Sequence, residues 1–305
     1  MNYKEKKIVF FGTPEFSMPT LKKLVDNKYN IIAVVTQSDK KIGRAQTLQE
    51  TKIKQLAKSY NLEVIHDLNK LANFLVKEKP DLGIVVAYGD FLSEKILKQF
   101  KVGCLNLHPS ALPKYRGPSP IQTTILNGDK KTSVTIIKLD KDMDHGPIVK
   151  QKKVKLEKYE TADSFHDKLS IKGAEILIKI LPKYLKNNIK VKEQDHSKAT
   201  FSKILKREDG LINWQQTAEE IERMIRAYYP WPGTYFKTII NNQEKNIKIH
   251  SASLSKNFDS EIGKLVNKNG QLIVQTKDKS ISINSLQIEG KNIMSAKEYI
   301  NGYLK

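Results

Sequence analysis

Val102-Gly-Cys-Leu-Asn-Leu-His-Pro-Ser-Ala-Leu-Pro-Lys-Tyr-Arg-Gly-Pro-Ser-Pro-Ile121 opens as a buried strand, with Val102, Leu105 and Leu107 apolar. It stops at Pro109, which cannot donate a backbone hydrogen bond and keeps the preceding residue out of the helical region. Side chains alternate across a strand, so Asn106 and His108 point to one side at its carboxyl end. In open α/β sheets ligands bind at that end. A carboxamide beside an imidazole can hold and protonate a developing oxyanion. His108 alone reads as readily as a strand-end cap bonding nearby backbone. With Asn106 beside it and Pro-Lys-Tyr-Arg-Gly-Pro following, the functional reading is preferred.

Upstream, Lys6 to Phe11 predicts a first parallel strand, followed by Gly12-Thr-Pro-Glu and a helix from about Glu15 to Asp26. The start has the form of a nucleotide-binding βα unit, but G-x-G-x-x-G is missing, which disfavours a nicotinamide-dependent dehydrogenase. Asn30 to Thr36 is a second strand. The connection from Gln37 to Leu48 is basic, with Lys40, Lys41 and Arg44, and is long for a βα loop. A helix over Gln49–Ser59, a short strand near Val64 and a helix from about Asn69 to Lys79 come next. Asp81 to Ala87 reads as a strand, wholly apolar after its first residue, as in a strand covered on both faces. It ends in Tyr88-Gly89-Asp90, where glycine lets a ligand approach the backbone closely.

Downstream, a helix over Pro118–Leu126 leads to a strand from Thr132 to Leu139. Asp140, Asp142 and Asp144 in the next turn have the spacing of a calcium loop. His145 and Gln151 stand where such a loop needs glycine and glutamate, so calcium is rejected. Ile148 to Leu156 returns as an antiparallel strand, and a long helix runs to about Asn187. Polar, aperiodic sequence then reads as a linker. Beyond a helix from about Thr217 to Tyr228, short β-rich segments from Thr234 to Glu289 predict a small antiparallel barrel or sandwich. The expected organisation is an α/β domain over 1–188 with a Rossmann-like, mostly parallel sheet, a linker over 189–205, and an OB-like β-barrel over 206–305. Tyr228, Tyr229 and Trp231 are expected in the core of that second domain.

Across 305 residues the formal net charge is +20, which points to an anionic partner. Most of the cations are lysines scattered along the chain, so the five arginines, Arg44, Arg116, Arg207, Arg223 and Arg226, are more informative. One cysteine, Cys104, excludes an internal disulfide framework, fits a reducing cytosol, and is expected to be packed in the core. No stretch reads as membrane-spanning, and the histidines show no metal-ligand spacing.

Phe10-Phe-Gly-Thr-Pro-Glu-Phe, Thr36-Gln with Asp39 and Gly43-Arg44, Ala87-Tyr-Gly, the Asn106 to Ile121 run, Met143-Asp-His-Gly-Pro-Ile and Ile225-Arg-Ala-Tyr-Tyr-Pro-Trp-Pro-Gly-Thr resemble the methionyl-tRNA formyltransferases, over nearly the whole chain and in order. Asn106, His108 and Asp144 alone mark only the wider folate-dependent formyltransferase superfamily. The resemblance implies transfer of a formyl group from 10-formyltetrahydrofolate to methionine on initiator tRNA, with those three residues as the catalytic set and no metal. It implies a folate site along Ser110, Ala111, Leu112 and Pro113, with Tyr88 and Gly89 beside it, and tRNA contacts from Lys40, Lys41 and Arg44 and from the barrel. Ala111 stands where the family usually has leucine, which implies a lost apolar contact near the pterin. A cytoplasmic monomer is expected. The alternatives are a formyltransferase for a small amine, such as an amino sugar or a ribonucleotide intermediate, a hydrolase releasing formate from formyl-folate, and a non-catalytic RNA-binding protein. The basic loop and the barrel favour the tRNA substrate over the small amine, and the intact trio disfavours the non-catalytic reading.

Overall fold

The computed structural model describes residues 3–42, 47–240, 242–257 and 260–304. Strand β1 (Ile8–Gly12) leads through α1 (Met18–Asp26) to β2 (Ile31–Val35) and a short hairpin of β3 (Lys40–Ile42) and β4 (Thr47–Gln49). Then come α2 (Lys52–Ser59), β5 (Val64–Ile65), α3 (Leu68–Glu78), β6 (Leu82–Val86), the single turn α4 (Glu94–Leu97) and β7 (Cys104–His108). Thr51 and Asp67 start α2 and α3 by accepting the N–H groups of Lys54 and Lys70, which would otherwise lack partners. Helix α5 (Pro120–Leu126), β8 (Lys131–Lys138), β9 (Ile148–Lys155) and α6 (Ala162–Leu185) complete this half of the chain.

Seven strands form one sheet in the order β5-β2-β1-β6-β7-β8-β9. The first five are parallel, and β8 and β9 are antiparallel additions. Every residue of β1 and β6 is buried, as strands covered on both faces require. On one face Val9, Phe11, Ala33, Val35, Val85 and Cys104 share a core. Burial pushes the Cys104 thiol well above its ordinary range, so it packs as a small apolar group. On the other face Leu107 meets α6 at Gly173, where an added Cβ would lie 2.5 Å from the leucine.

The chain divides into two compact units, one of Met1–Pro120, Lys131–Lys155 and His166–Ser202, the other of Ile121–Lys130, Leu156–Phe165 and Lys203–Lys305. Within the second unit, α7 (Ala218–Ala227) precedes β10 (Thr234–Ile240), β11 (Gln243–Ser255), β12 (Leu265–Lys268), β13 (Gln271–Gln275), β14 (Ser280–Ile288), β15 (Met294–Ser295) and α8 (Ala296–Tyr303). These strands make an antiparallel sheet in the order β10-β11-β14-β13-β12, with β15 on β14. Its apolar face, including Phe236, Ile247, Leu272 and Ile283, packs with Ile221 and Ile225 of α7 and Tyr299 of α8. Tyr228 is buried, but Tyr229 and Trp231 are not core residues, and Trp231 is 56 % exposed. The prolines at 230 and 232 forbid the helix from continuing, and the chain leaves the core through them.

Candidate active site

The register of β7 and β8 sets the geometry. Asn106 lies opposite Ile137, His108 opposite Thr135, and Leu105 opposite Lys138. Strand β8 therefore ends beside the start of β7, where the Leu139 N–H donates to the Cys104 carbonyl at 2.8 Å. Asp144 comes five residues later in the turn to β9. It reaches the end of β7 only because that turn doubles back, and its φ of 51° lies in the left-handed region.

All three predicted catalytic residues meet. The Asn106 amide donates from Nδ2 to Asp144 Oδ1 at 3.2 Å, and His108 Nδ1 faces the same oxygen at 3.4 Å. The Gly117 N–H donates to Oδ2 at 2.8 Å. On its other side the imidazole holds the Tyr115 carbonyl, 2.9 Å from Nε2. A carbonyl only accepts, so Nε2 carries a proton and Nδ1 is the nitrogen that faces the carboxylate. His108 is 5 % exposed and Asp144 9 %, whereas Asn106 is more open. Within the trio Asn106 is thus the side chain best placed to meet a substrate atom directly.

Residues outside the expected catalytic set hold this arrangement. The 189–205 segment, expected as a linker, is paired along 192–202. Lys192 bonds both ways with Ile148 of β9, and the Thr200 carbonyl and Ser202 N–H pair with Arg116. Gln194 is buried beneath Asp144, and Arg116 is buried with it. Arg116 was visible as one of few arginines. Gln194 lies in polar sequence without period, and nothing in that sequence marks it.

Of the residues expected around the folate, Tyr88 is a core aromatic, packed edge-on to Phe11 at 5.5 Å with its hydroxyl pushed up to about 12 by burial. Ser110 and Leu112 also point inward. The Ser110 hydroxyl donates to the Lys114 carbonyl, and the Leu112 carbonyl accepts from Gln151. Gly89 is exposed, and Ala111 and Pro113 are half-buried. The loops after β1, β2 and β6 meet at the same carboxyl edge. There Thr13 Oγ1 donates to the Tyr88 carbonyl at 2.6 Å, and Gln37 Nε2 to Asp90 at 2.9 Å. The backbone of Lys40 and Lys41 lies in β3, and Arg44 lies outside the described residues.

Residues 6–181 match the family model described as formyl transferase, and 204–304 match that of the formyl transferase C-terminal domain. The chain belongs to the formyl transferase family. A methionyl-tRNA formyltransferase of Thermodesulfovibrio yellowstonii is 40 % identical over 97 % of this chain and 95 % of its own. That of Thermotoga maritima is 38 % identical over 98 % and 96 %. Among solved structures, HypX from Aquifex aeolicus in complex with tetrahydrofolic acid shares the fold with a TM-score of 0.68 at 14 % identity. The match covers 99 % of this chain and 48 % of HypX. The N-formyltransferase from Helicobacter canadensis, in complex with folinic acid and dTDP-3-aminofucose, gives 0.68 at 20 % identity over 92 % and 98 %. In this family fold, the trio sits where a mostly parallel sheet gains its first antiparallel strand. Among the described residues no group of His, Cys, Asp and Glu is arranged to hold a metal ion, and no helix is long and apolar enough to cross a membrane.

Proposed function

We infer that the chain transfers the formyl group of 10-formyltetrahydrofolate to the α-amino group of methionine on initiator tRNA, giving formylmethionyl-tRNA for translation initiation. The observation that carries this is the meeting of Asn106 and His108 on the Asp144 carboxylate, in a chain that matches methionyl-tRNA formyltransferases along 97 % of its length.

The folate carries the formyl group to be transferred. The surface available for it fits a flat heterocycle. Gly89 has no side chain, Ala111 and Pro113 present half-buried apolar atoms, and all three follow the carboxyl ends of neighbouring strands. Tyr88, Ser110 and Leu112 support that surface from behind. The oxygen that turns negative as the amine adds to the formyl carbon needs a donor already in place. Asn106 is half-buried at that surface and supplies an N–H. The amine must lose a proton and the departing nitrogen must gain one. Asp144, with His108 Nδ1 beside it, takes and returns that proton through water. A proton shared between Nδ1 and the carboxylate leaves Nε2 on the Tyr115 carbonyl throughout.

We assign the catalytic role to 1–188 and tRNA contact to 206–305, with 189–205 joining them and also supporting the trio, and with Lys40, Lys41 and Arg44 meeting phosphates of the acceptor region. A tRNA substrate and a single cysteine suit the cytoplasm. A monomer suffices, since one chain supplies the whole trio. The test is formyl transfer from 10-formyltetrahydrofolate to methionyl initiator tRNA, with wild type beside His108→Ala. Transfer by wild type and its loss in the variant are expected. Formylation of a small amine or release of formate, with no transfer to tRNA, would overturn the reading.

A further inference from the structure

We propose that Gln194 is a positioning residue of this site, and that with Arg116 it holds the turn that aims Asp144. The inference rests on the formyl-transfer reading and extends it to residues that do not touch the substrate.

The hydrogen bonds leave Gln194 one orientation. Its Nε2 donates to the carbonyls of Asp144 and Gly146, both at 2.8 Å, and its Oε1 accepts from Arg116 Nη2 at 2.9 Å. Carbonyls cannot donate and a guanidinium cannot accept, so a flipped amide would lose all three bonds. The two carbonyls lie on either side of His145, so the amide pins the turn where it doubles back. Pinning is needed there. Asp144 is a non-glycine residue in the left-handed region, a conformation that costs free energy and persists only when its surroundings impose it. Gly146 approaches the Lys138 carbonyl so closely that an added Cβ would lie 1.8 Å from its oxygen.

Arg116 closes the circuit. Its neighbours in sequence hold the trio directly, the Tyr115 carbonyl on His108 and the Gly117 N–H on Asp144. Its own backbone is paired with Thr200 and Ser202. Nη2 also meets His196 Nδ1 at 2.8 Å, so that nitrogen offers its lone pair. Arg116 Nε is buried without a partner among the described residues. Burying a guanidinium with an orphan donor costs stability that an apolar residue would not. What the arginine supplies is a fixed donor for the Gln194 oxygen. Asp144 is thereby held twice by the 115–117 segment, at its carboxylate through Gly117 and at its backbone through Gln194.

The experiment is a double-mutant cycle between Gln194→Glu and Asp144→Asn in the full chain, with 10-formyltetrahydrofolate and methionyl initiator tRNA. Glutamate keeps the volume and an acceptor for Arg116 but turns oxygens toward the Asp144 and Gly146 carbonyls. We expect kcat to fall about 100-fold, the scale of a misplacement near 1 Å. Both KM values should stay within about threefold of wild type. In the Asp144→Asn background the same change should alter kcat by less than about threefold, because its effect runs through Asp144. Additive losses, unchanged kcat, or a rise in KM alone would overturn the proposal. Should Gln194→Glu not fold, Gln194→Leu takes its place, and if neither folds the residue is structural and the proposal fails. A wild type that formylates no tRNA would overturn the functional reading, and this proposal with it.

Discussion

Replacing Asp144 by asparagine removes a charge and reorients one neighbouring amide. The side chain keeps its shape, and asparagine tolerates the left-handed φ of 51° at this position. The Gly117 N–H can only donate, so the asparagine oxygen must turn toward it, and the new NH₂ then faces Asn106 and His108. The Asn106 amide flips to accept. The His108 Nε2–H keeps the Tyr115 carbonyl, its Nδ1 can accept from the new NH₂, and every bond in the site is satisfied. What is lost is the carboxylate that would offset a proton taken up at Nδ1 during turnover, about 5 kcal/mol at 3.4 Å for an effective dielectric constant of about 20. Desolvation of two groups this buried takes back several kcal/mol of it. The variant should therefore fold as the wild type does, while its proton transfer loses the factor of about 10² to 10⁴ typical of a positioned acid–base group. The assay is kcat at saturating donor and tRNA, with donor KM and the thermal midpoint measured alongside. A kcat equal to wild type, with folate bound normally, would refute the reasoning.

Gly146→Ala should cost at least about 1–3 kcal/mol in urea unfolding and reduce kcat with it, because the new methyl meets the Lys138 backbone oxygen rather than a movable side chain. Asp81 tests pH dependence. Burial alone would raise its carboxyl, but the Lys7 N–H at 2.9 Å and the Lys6 ammonium at 3.3 Å outweigh burial and hold it below the usual range. A carboxyl lowered by folding contributes stability that is complete above its unfolded value of about 4 and lost as pH falls through the folded one. Asp81→Asn should cost about 1.5–3 kcal/mol at neutral pH, with the gap to wild type narrowing toward about pH 3, as urea midpoints at the two pH values will show. Arg44→Ala should raise KM for charged tRNA, leave donor KM unchanged, and lower the salt slope of tRNA binding by about one.

Much of the first unit was legible because its signals are local. Alternation put Asn106 and His108 on one side of β7, Pro109 ended the strand, and unbroken apolar runs marked β1 and β6 as strands covered on both faces. The route by which Asp144 meets His108 was not legible, because the strand register sets it. Strand β8 runs away from His108, and the turn must come back. Gln194 stayed hidden because its role depends on one buried amide meeting carbonyls 50 and 48 residues away, which leaves no trace in composition or period. Tyr229 and Trp231 misled for the opposite reason: aromatic content predicts burial on average, and two prolines took these two out of the core.

The path of 192–202 bears on how the protein can be taken apart. A fragment cut at 188 would keep Asn106, His108 and Asp144 but lose Gln194, Thr200 and Ser202, and with them the pairing of Arg116. Carried on to Ser202, the same fragment retains every contact described around the trio. Domain swaps, split-protein fusions and insertions should place their junction after that serine.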